Sequence, residues 1–354
     1  MQACLSAPVS NELACAKQEV GVAGWGIMSP ATSACPSVLQ AVKDNLPPRS
    51  RVCNSEDLER AAGVSRREAK KLDRFSLLAL AAAGKALSSL DMSRGDRAEC
   101  GVITGNMLGG WSFTEPQLRK LHQTGLAEVS PYLATAWFPA APQGQITIRF
   151  GMRGFSKTIT TDRCAGAQAI GVAFSAIRRG RCRVLLAGGV EAPCTSFIET
   201  VSPSAWVQEG CLVEAAAYLL LASGISSGLV VAAHETFQSH GATRALSSIL
   251  AGRLSSFLSS HSVDVSKLFV LLNAPVSRQL HVDLRGCLRE ALGDIDHTMV
   301  FLNTPLGDSL GASSAVGAAI ACEMLAADPS QSSALLISCG HQCCDLLWFK
   351  NTHT

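Results

Sequence analysis

Short runs of apolar and β-branched residues alternate along this chain with longer stretches of small apolar residues, the order of strands and helices in an α/β protein. The run from Val20 to Trp25, closed by glycines, predicts a first strand. Leu58 to Leu90 predicts a helix with a charged front half and an Ala/Leu back half, and Cys100 to Thr104 predicts the next strand. Two distant segments then share one pattern of strand, tight turn, helix of small residues and glycine-ended strand. The first runs through Lys157–Thr161, Asp162–Ile177 and Val184–Gly189; the second through Met299–Leu302, Asp308–Leu325 and Ala334–Ser338. Both helices are almost free of charge after their first turn. A helix apolar on all sides belongs between layers rather than on a surface. Two of them predict a five-layered α/β/α/β/α core made of two pseudo-repeats, about 19–225 and 226–354. With no Pro-, Ser- or charge-rich linker between the halves, residues 19–354 are expected to form one domain behind a flexible segment 1–18.

Composition narrows the function classes. The 354 residues are 47% apolar and 16% charged, which suits a compact soluble core, and a formal charge of +2 is too balanced for bulk attraction to a nucleic-acid backbone. Apolar runs such as Ala215–Ala222 fall short of the ~20 residues that cross a bilayer, and the polar start lacks the order of a signal peptide. A cytoplasmic protein without nucleic-acid or membrane partners is expected. The 14 cysteines are scattered through apolar segments and read as reduced, buried side chains. Cys339, Cys343 and Cys344 lack a second pair at metal-ligand spacing, with His341 alone beside them, so neither a metal nor a cofactor is expected.

Several motifs occur in a definite order: Ala136–Pro139, Gly144–Arg149, Gly151–Gly154, Asp162–Ala167, Leu186–Val190 and Leu306–Ala312. On these, from about Val20 to the C-terminus, the chain resembles the thiolase-fold ketosynthases. Within them it resembles the chain length factors, the non-condensing partners of the ketosynthase in type II polyketide synthases. The resemblance implies a nucleophilic Cys at the start of the first buried helix, but aligning Ala169–Gly171 puts Arg163 at that position and Cys164 one residue too late. On a helix that shift turns a side chain by ~100°. The two catalytic His positions of active relatives fall on Pro275 and Asp308, and a Lys position on Asn303. A Pro moves no proton, so the resemblance implies a catalytically silent subunit of a β-ketoacyl synthase (acyltransferase) complex. An Arg163–Asp308 ion pair, with Asp162 as competing partner for the guanidinium, is expected to plug the vestigial pocket. Two alternatives remain open: Cys164 as nucleophile with His281 or His341 in an active ketosynthase or thiolase, or a non-catalytic scaffold for acyl carrier protein.

In a chain length factor, side chains close the tunnel that receives the growing chain from the partner's Cys. The matching positions are Trp111, Thr114 and Leu118, spaced for one helix face, with Phe113 and Phe197 as further wall. A bulky Trp111 would shorten the tunnel and a Leu at 118 lengthen it; ordinary interface packing is the alternative. Ser112 with Glu115 suggests a capping box, with Pro116 in the first turn. The resemblance further implies a heterodimer with a catalytic ketosynthase, formed by the edge strand Lys157, Thr158, Ile159, Thr160 and Thr161. An acidic carrier protein could meet a basic cluster of Arg66, Arg67, Lys70, Lys71 and Arg74 on one helix, or Arg178, Arg179, Arg181 and Arg183, although a solvated helix face is the more common reason for such clusters. Between Pro203 and Gly241 the chain departs from the family and looks trimmed, and the gating loop is reduced to Cys339–Cys343.

Overall fold

A computed structural model describes residues 18–31, 51–202, 212–225, 228–238, 243–275, 278–293, 299–328, 330–341 and 343–352. Up to residue 17, the segment expected to be flexible lies outside the described residues, as do residues 203–211, 226–227 and 239–241 of the stretch that looks trimmed.

The first half opens with strand β1 (Gly21–Met28) and helices α1 (Ser55–Ala62), α2 (Arg66–Ala69) and α3 (Arg74–Leu87). The single helix expected over Leu58–Leu90 is therefore broken. Gly63 ends α1 at φ +66, where a glycine carries no steric cost. Ser65 and Glu68 then form a capping box that starts α2, and the Asp73 carboxylate accepts the Phe75 N–H to start α3. These local start and stop signals outweigh the run of good helix formers. Strand β2 (Gly101–Asn106), helices α4 (Trp111–Gln123) and α5 (Ala141–Phe150), strand β3 (Lys157–Thr160), helix α6 (Ala165–Arg178), strand β4 (Val184–Glu191), helix α7 (Ser196–Val201) and strand β5 (Ala215–Ala222) follow.

The second half holds β6 (Leu229–Gln238), α8 (Thr243–His261), β7 (Leu268–Asn273), α9 (Arg278–Leu292), β8 (Met299–Phe301), α10 (Ser313–Ala327), β9 (Ser333–Cys339) and β10 (Cys343–Asn351). The strand order is β3-β2-β4-β5-β1-β6-β10-β9-β7-β8, a mirror about its centre. Pairing repeats with it. β2 lies parallel to β3 and β4, β5 antiparallel to β4 and β1; likewise β7 is parallel to β8 and β9, and β10 antiparallel to β9 and β6. Between the half-sheets the strand pairing among the described residues is Gly21 with Val230, so the two sheets are continuous at a narrow seam.

Three hydrophobic clusters separate five layers. Leu58, Phe75, Leu78 and Ile146 pack the outer helices of the first half on Val102, Leu186 and Leu220. Ile170, Phe174, Val316 and Ile320 place α6 and α10 between the sheets, against Leu219, Leu271 and Leu347. Leu254, Phe257, Leu284 and Leu288 cover the far face, on Val270 and Ile337. This is the α/β/α/β/α arrangement of two pseudo-repeats expected from the sequence. The two central helices touch at Gly166, where a Cβ would lie 2.7 Å from the Cβ of Ala315. The stretch Leu310–Ala327 is long and apolar enough to span a membrane, but 83% of it is buried inside the fold.

Candidate functional site

The two central helices deliver their starting loops to one buried point. Arg163, just ahead of α6, and Asp308, ahead of the turn leading into α10, are 0% and 2% exposed at their side chains. The Arg163 Nε and Nη2 groups both donate to Asp308 Oδ2, at 2.9 and 2.6 Å. Asp308 Oδ1 accepts the Leu310 N–H at 2.9 Å. Asp162 is engaged elsewhere: its carboxylate accepts the backbone N–H groups of Cys164 and His341, at 3.0 and 2.9 Å. The guanidinium therefore pairs with Asp308 and not with Asp162. Asn273 Nδ2 donates to the Arg163 carbonyl at 3.5 Å, and the buried Asn303 accepts the Ala274 N–H at 3.0 Å. Half-buried Pro275 comes next in the chain. Arg163, Asp308, Asn273 and Asn303 thus share one hydrogen-bonded neighbourhood.

Cys164 turns away from this pair. Its fully buried thiol donates to the carbonyls of Ser338 and Cys343, at 3.4 and 3.5 Å. A thiol–thiol hydrogen bond with Cys343, then burial, then the carboxylates of Asp345 and Asp162 hold its pKa well above the ordinary thiol value. Such a group is a poor nucleophile. His281 lies on α9 in the outer layer, its ring 4.5 Å from that of Phe301. His341 sits in the turn between β9 and β10, where burial, and next the charge of Arg163, lower its pKa.

A second site forms where α4 meets α7. Trp111 stacks on Phe197 with ring centroids 4.7 Å apart, and its Nε1–H donates to the Leu108 carbonyl at 3.1 Å. Together with Leu118, His122 and Thr200 they line a cavity of about 620 Å³. Thr114 is not in that wall: it is buried, with its hydroxyl bonded to the Gly110 carbonyl at 2.6 Å. Phe113 faces a different groove, beside Lys70 and Arg74. The expected capping box is also absent. Asp73 reaches across from α3 to accept the Phe113 N–H at 2.6 Å, so the α4 start is satisfied from outside and Ser112 is an ordinary helical residue. Glu115 instead accepts the Ser196 hydroxyl and the Phe197 N–H, capping α7. Although partial burial opposes it, these bonds and that from Arg119 bring the Glu115 pKa down to about 2. Pro116 is the sixth residue of α4, in the second turn rather than the first.

Lys157–Thr160 is the outermost strand at its end of the sheet, hydrogen-bonded to β2 alone among the described strands, and Thr161 follows with its N–H on the Asn106 carbonyl. The basic cluster is not on one helix. Arg66 and Arg67 lie on α2, and Lys70 and Lys71 follow it, all four exposed. Arg74 belongs to the interior: its Nε and Nη2 clamp the buried Glu214 carboxylate, with Nη2 at 2.6 Å from both Oε1 and the Cys53 carbonyl.

Sequence reasoning missed Glu191. It is fully buried at the end of β4 and accepts the Met107 and Leu108 N–H groups, at 2.7 and 3.2 Å, along with that of Gly311. Burial pushes its pKa up to about 8. A lone carboxylate closing an apolar strand was the available signal.

Comparison with known proteins places these features. Residues 54–202 match the family described as beta-ketoacyl synthase, N-terminal domain. That stretch is similar to the N-terminal domain of beta-ketoacyl synthases. The tetracenomycin polyketide synthase ketoacyl synthase beta subunit of Streptomyces glaucescens is 36% identical over 152 residues, 42% of this chain and 37% of that one. The 3-oxoacyl-[acyl-carrier-protein] synthase 2 of Staphylococcus aureus is 31% identical over 134 residues, 37% of this chain and 33% of that one. The matched stretch thus spans only about a third of those relatives. Two solved structures share the fold across 94% of this chain and 99% of theirs. One is a type II PKS acyl-carrier protein in complex with its ketosynthase bound to the hexaketide, with a TM-score of 0.78 at 23% identity. The other is the ishigamide ketosynthase/chain length factor, with a TM-score of 0.75 at 19% identity. The stretch matched by the family takes in Arg163, Trp111 and Phe197 but leaves out Asp308.

Proposed function

We propose that this chain is a non-condensing ketosynthase-like subunit that pairs with a Cys-bearing ketosynthase and closes the far end of its polyketide tunnel. The observation that carries this reading is the Arg163–Asp308 pair. A guanidinium has no lone pair with which to attack a thioester, and one that is paired and fully buried leaves no space for an acyl group. Cys164 offers no substitute, since its thiol is buried and its ionisation is disfavoured. The likeness to a polyketide ketoacyl synthase beta subunit supports a place in polyketide chain elongation rather than in another ketosynthase pathway.

In this reading Trp111, Leu118 and Phe197 meet the growing chain, and the partner docks through the edge strand Lys157–Thr161. A bare edge with β-branched residues is otherwise an aggregation template. Carrier protein is delivered mainly to the catalytic partner, with Arg66, Arg67 and Lys70 as an auxiliary basic surface. The test is reconstitution with a cognate ketosynthase and its carrier protein. The ketosynthase with this chain should make a product of one defined length, which Trp111→Ala lengthens and Leu118→Phe shortens. Product length indifferent to both substitutions would leave a scaffold without length control.

A further inference from the structure

The start of α6 and the start of β10 meet at a second cluster that neither the silent site nor the tunnel uses. A carboxylate oxygen of Asp162 and the sulfurs of Cys164 and Cys343 all lie within 4.8 Å of one another. A four-coordinate ion with Zn–S near 2.3 Å and Zn–O near 2.0 Å holds its ligand atoms roughly 3.5–3.8 Å apart, so shifts of about 1 Å or less would close the set. The ligands are held in place. Asp162 Oδ1 accepts from the Cys343 thiol at 3.4 Å and from the Cys164 N–H, and Oδ2 accepts the His341 N–H. The turn passes so close that a Cβ on Gly340 would overlap Asp162 Oδ2 at 1.9 Å. Gln168 Nε2 lies 3.7 Å from the Cys343 sulfur, as a neighbour that orients a ligand.

We propose that Asp162, Cys164 and Cys343 form a binding site for a thiophilic divalent cation of the zinc class. Access comes from a cavity of about 700 Å³ whose wall includes Asp162, Cys343 and His341, which leaves a fourth position open toward the cavity. The electrostatics favour a cation. The carboxylates of Asp162 and Asp345 that oppose a lone thiolate attract a dication, and the charge of Arg163, next to Cys164 in the chain, is paired with Asp308. Binding exchanges protons for metal: the ion takes both sulfurs as thiolates, and their two protons leave to solvent, so affinity rises with pH. Such an ion would fasten the β9–β10 turn to the start of α6. Chain spacing could not disclose the set, because Cys343 comes from the opposite pseudo-repeat. Metal binding here does not depend on whether the chain condenses substrates.

Titration of the reduced full chain with Co²⁺ tests it. One equivalent should give thiolate-to-metal charge-transfer absorption, displaced by an equivalent of Zn²⁺. Cys343 is half-buried, so Cys343→Ser should fold normally, checked by its circular dichroism melt, and should weaken Co²⁺ binding by about tenfold or more. Cys182→Ser, a half-buried thiol outside the cluster, should leave the titration unchanged. Absence of the charge-transfer band, or a band that survives Cys343→Ser or disappears in Cys182→Ser, would overturn the site.

Discussion

Arg163 and Asp308 illustrate how a single buried pair constrains a site. Each is tolerable in the interior only because the other is there, and loss of one leaves an uncompensated charge in a dry environment. Asp308→Ala is expected to lower unfolding free energy in urea by about 3–5 kcal/mol. The double change Arg163→Met with Asp308→Leu should cost less than Asp308→Ala alone, since neither charge then remains. A further expectation concerns pH. Burial raises the pKa of Asp73 to about 7 and of Glu191 to about 8, so the folded state binds these protons more tightly than the unfolded chain. The stability they contribute is complete below the ordinary carboxylate pKa and is lost as pH rises to about 7 and 8. Glu115 acts in the opposite sense: its stabilisation is present above the ordinary pKa and is lost as pH falls toward about 2. Melting temperature should therefore decline from mildly acidic pH toward pH 8, and Glu191→Gln should flatten that decline. An unchanged slope in Glu191→Gln would assign the effect elsewhere.

Among the elements, strands were the most legible. Runs such as Val184–Gly189 and Ala334–Ser338 are too apolar and too short for anything but buried strands, and β4 and β9 contain them. Helix boundaries were less so, because several are set by groups distant in sequence. Asp73 satisfies the start of α4 from 40 residues away, and Glu115 caps α7 from 82 residues away. No local rule for Ser112 could register those partners. Arg74 misled for the same reason: its buried partner, Glu214, lies 140 residues further on. The edge strand β3 offers a prediction at this scale. An unpaired β3 edge is expected to make isolated chain self-associate; Ile159→Lys places a charge there and should make it monomeric by sedimentation velocity. An unchanged sedimentation profile would place the association elsewhere.

The molecule as a whole follows from one repeated unit. Strand order and pairing mirror about the β1–β6 seam, which brings the two equivalent helix starts, one carrying Arg163 and the other Asp308, into contact. The charge-free helices revealed the layers because a helix without a polar face has to lie between sheets. The Trp111–Phe197 stack and the Asp162–Cys164–Cys343 cluster were not visible as units, since each joins segments that only the closed fold brings together. Silence at the helix starts is the claim on which the proposed role depends. Intact-mass measurement of the isolated chain after incubation with an acyl thioester and malonyl-loaded carrier protein tests it most directly. The mass should remain that of the unmodified polypeptide while the partner ketosynthase, treated identically, gains an acyl group. An acyl adduct mapped to Cys164, followed by its elongation, would contradict it.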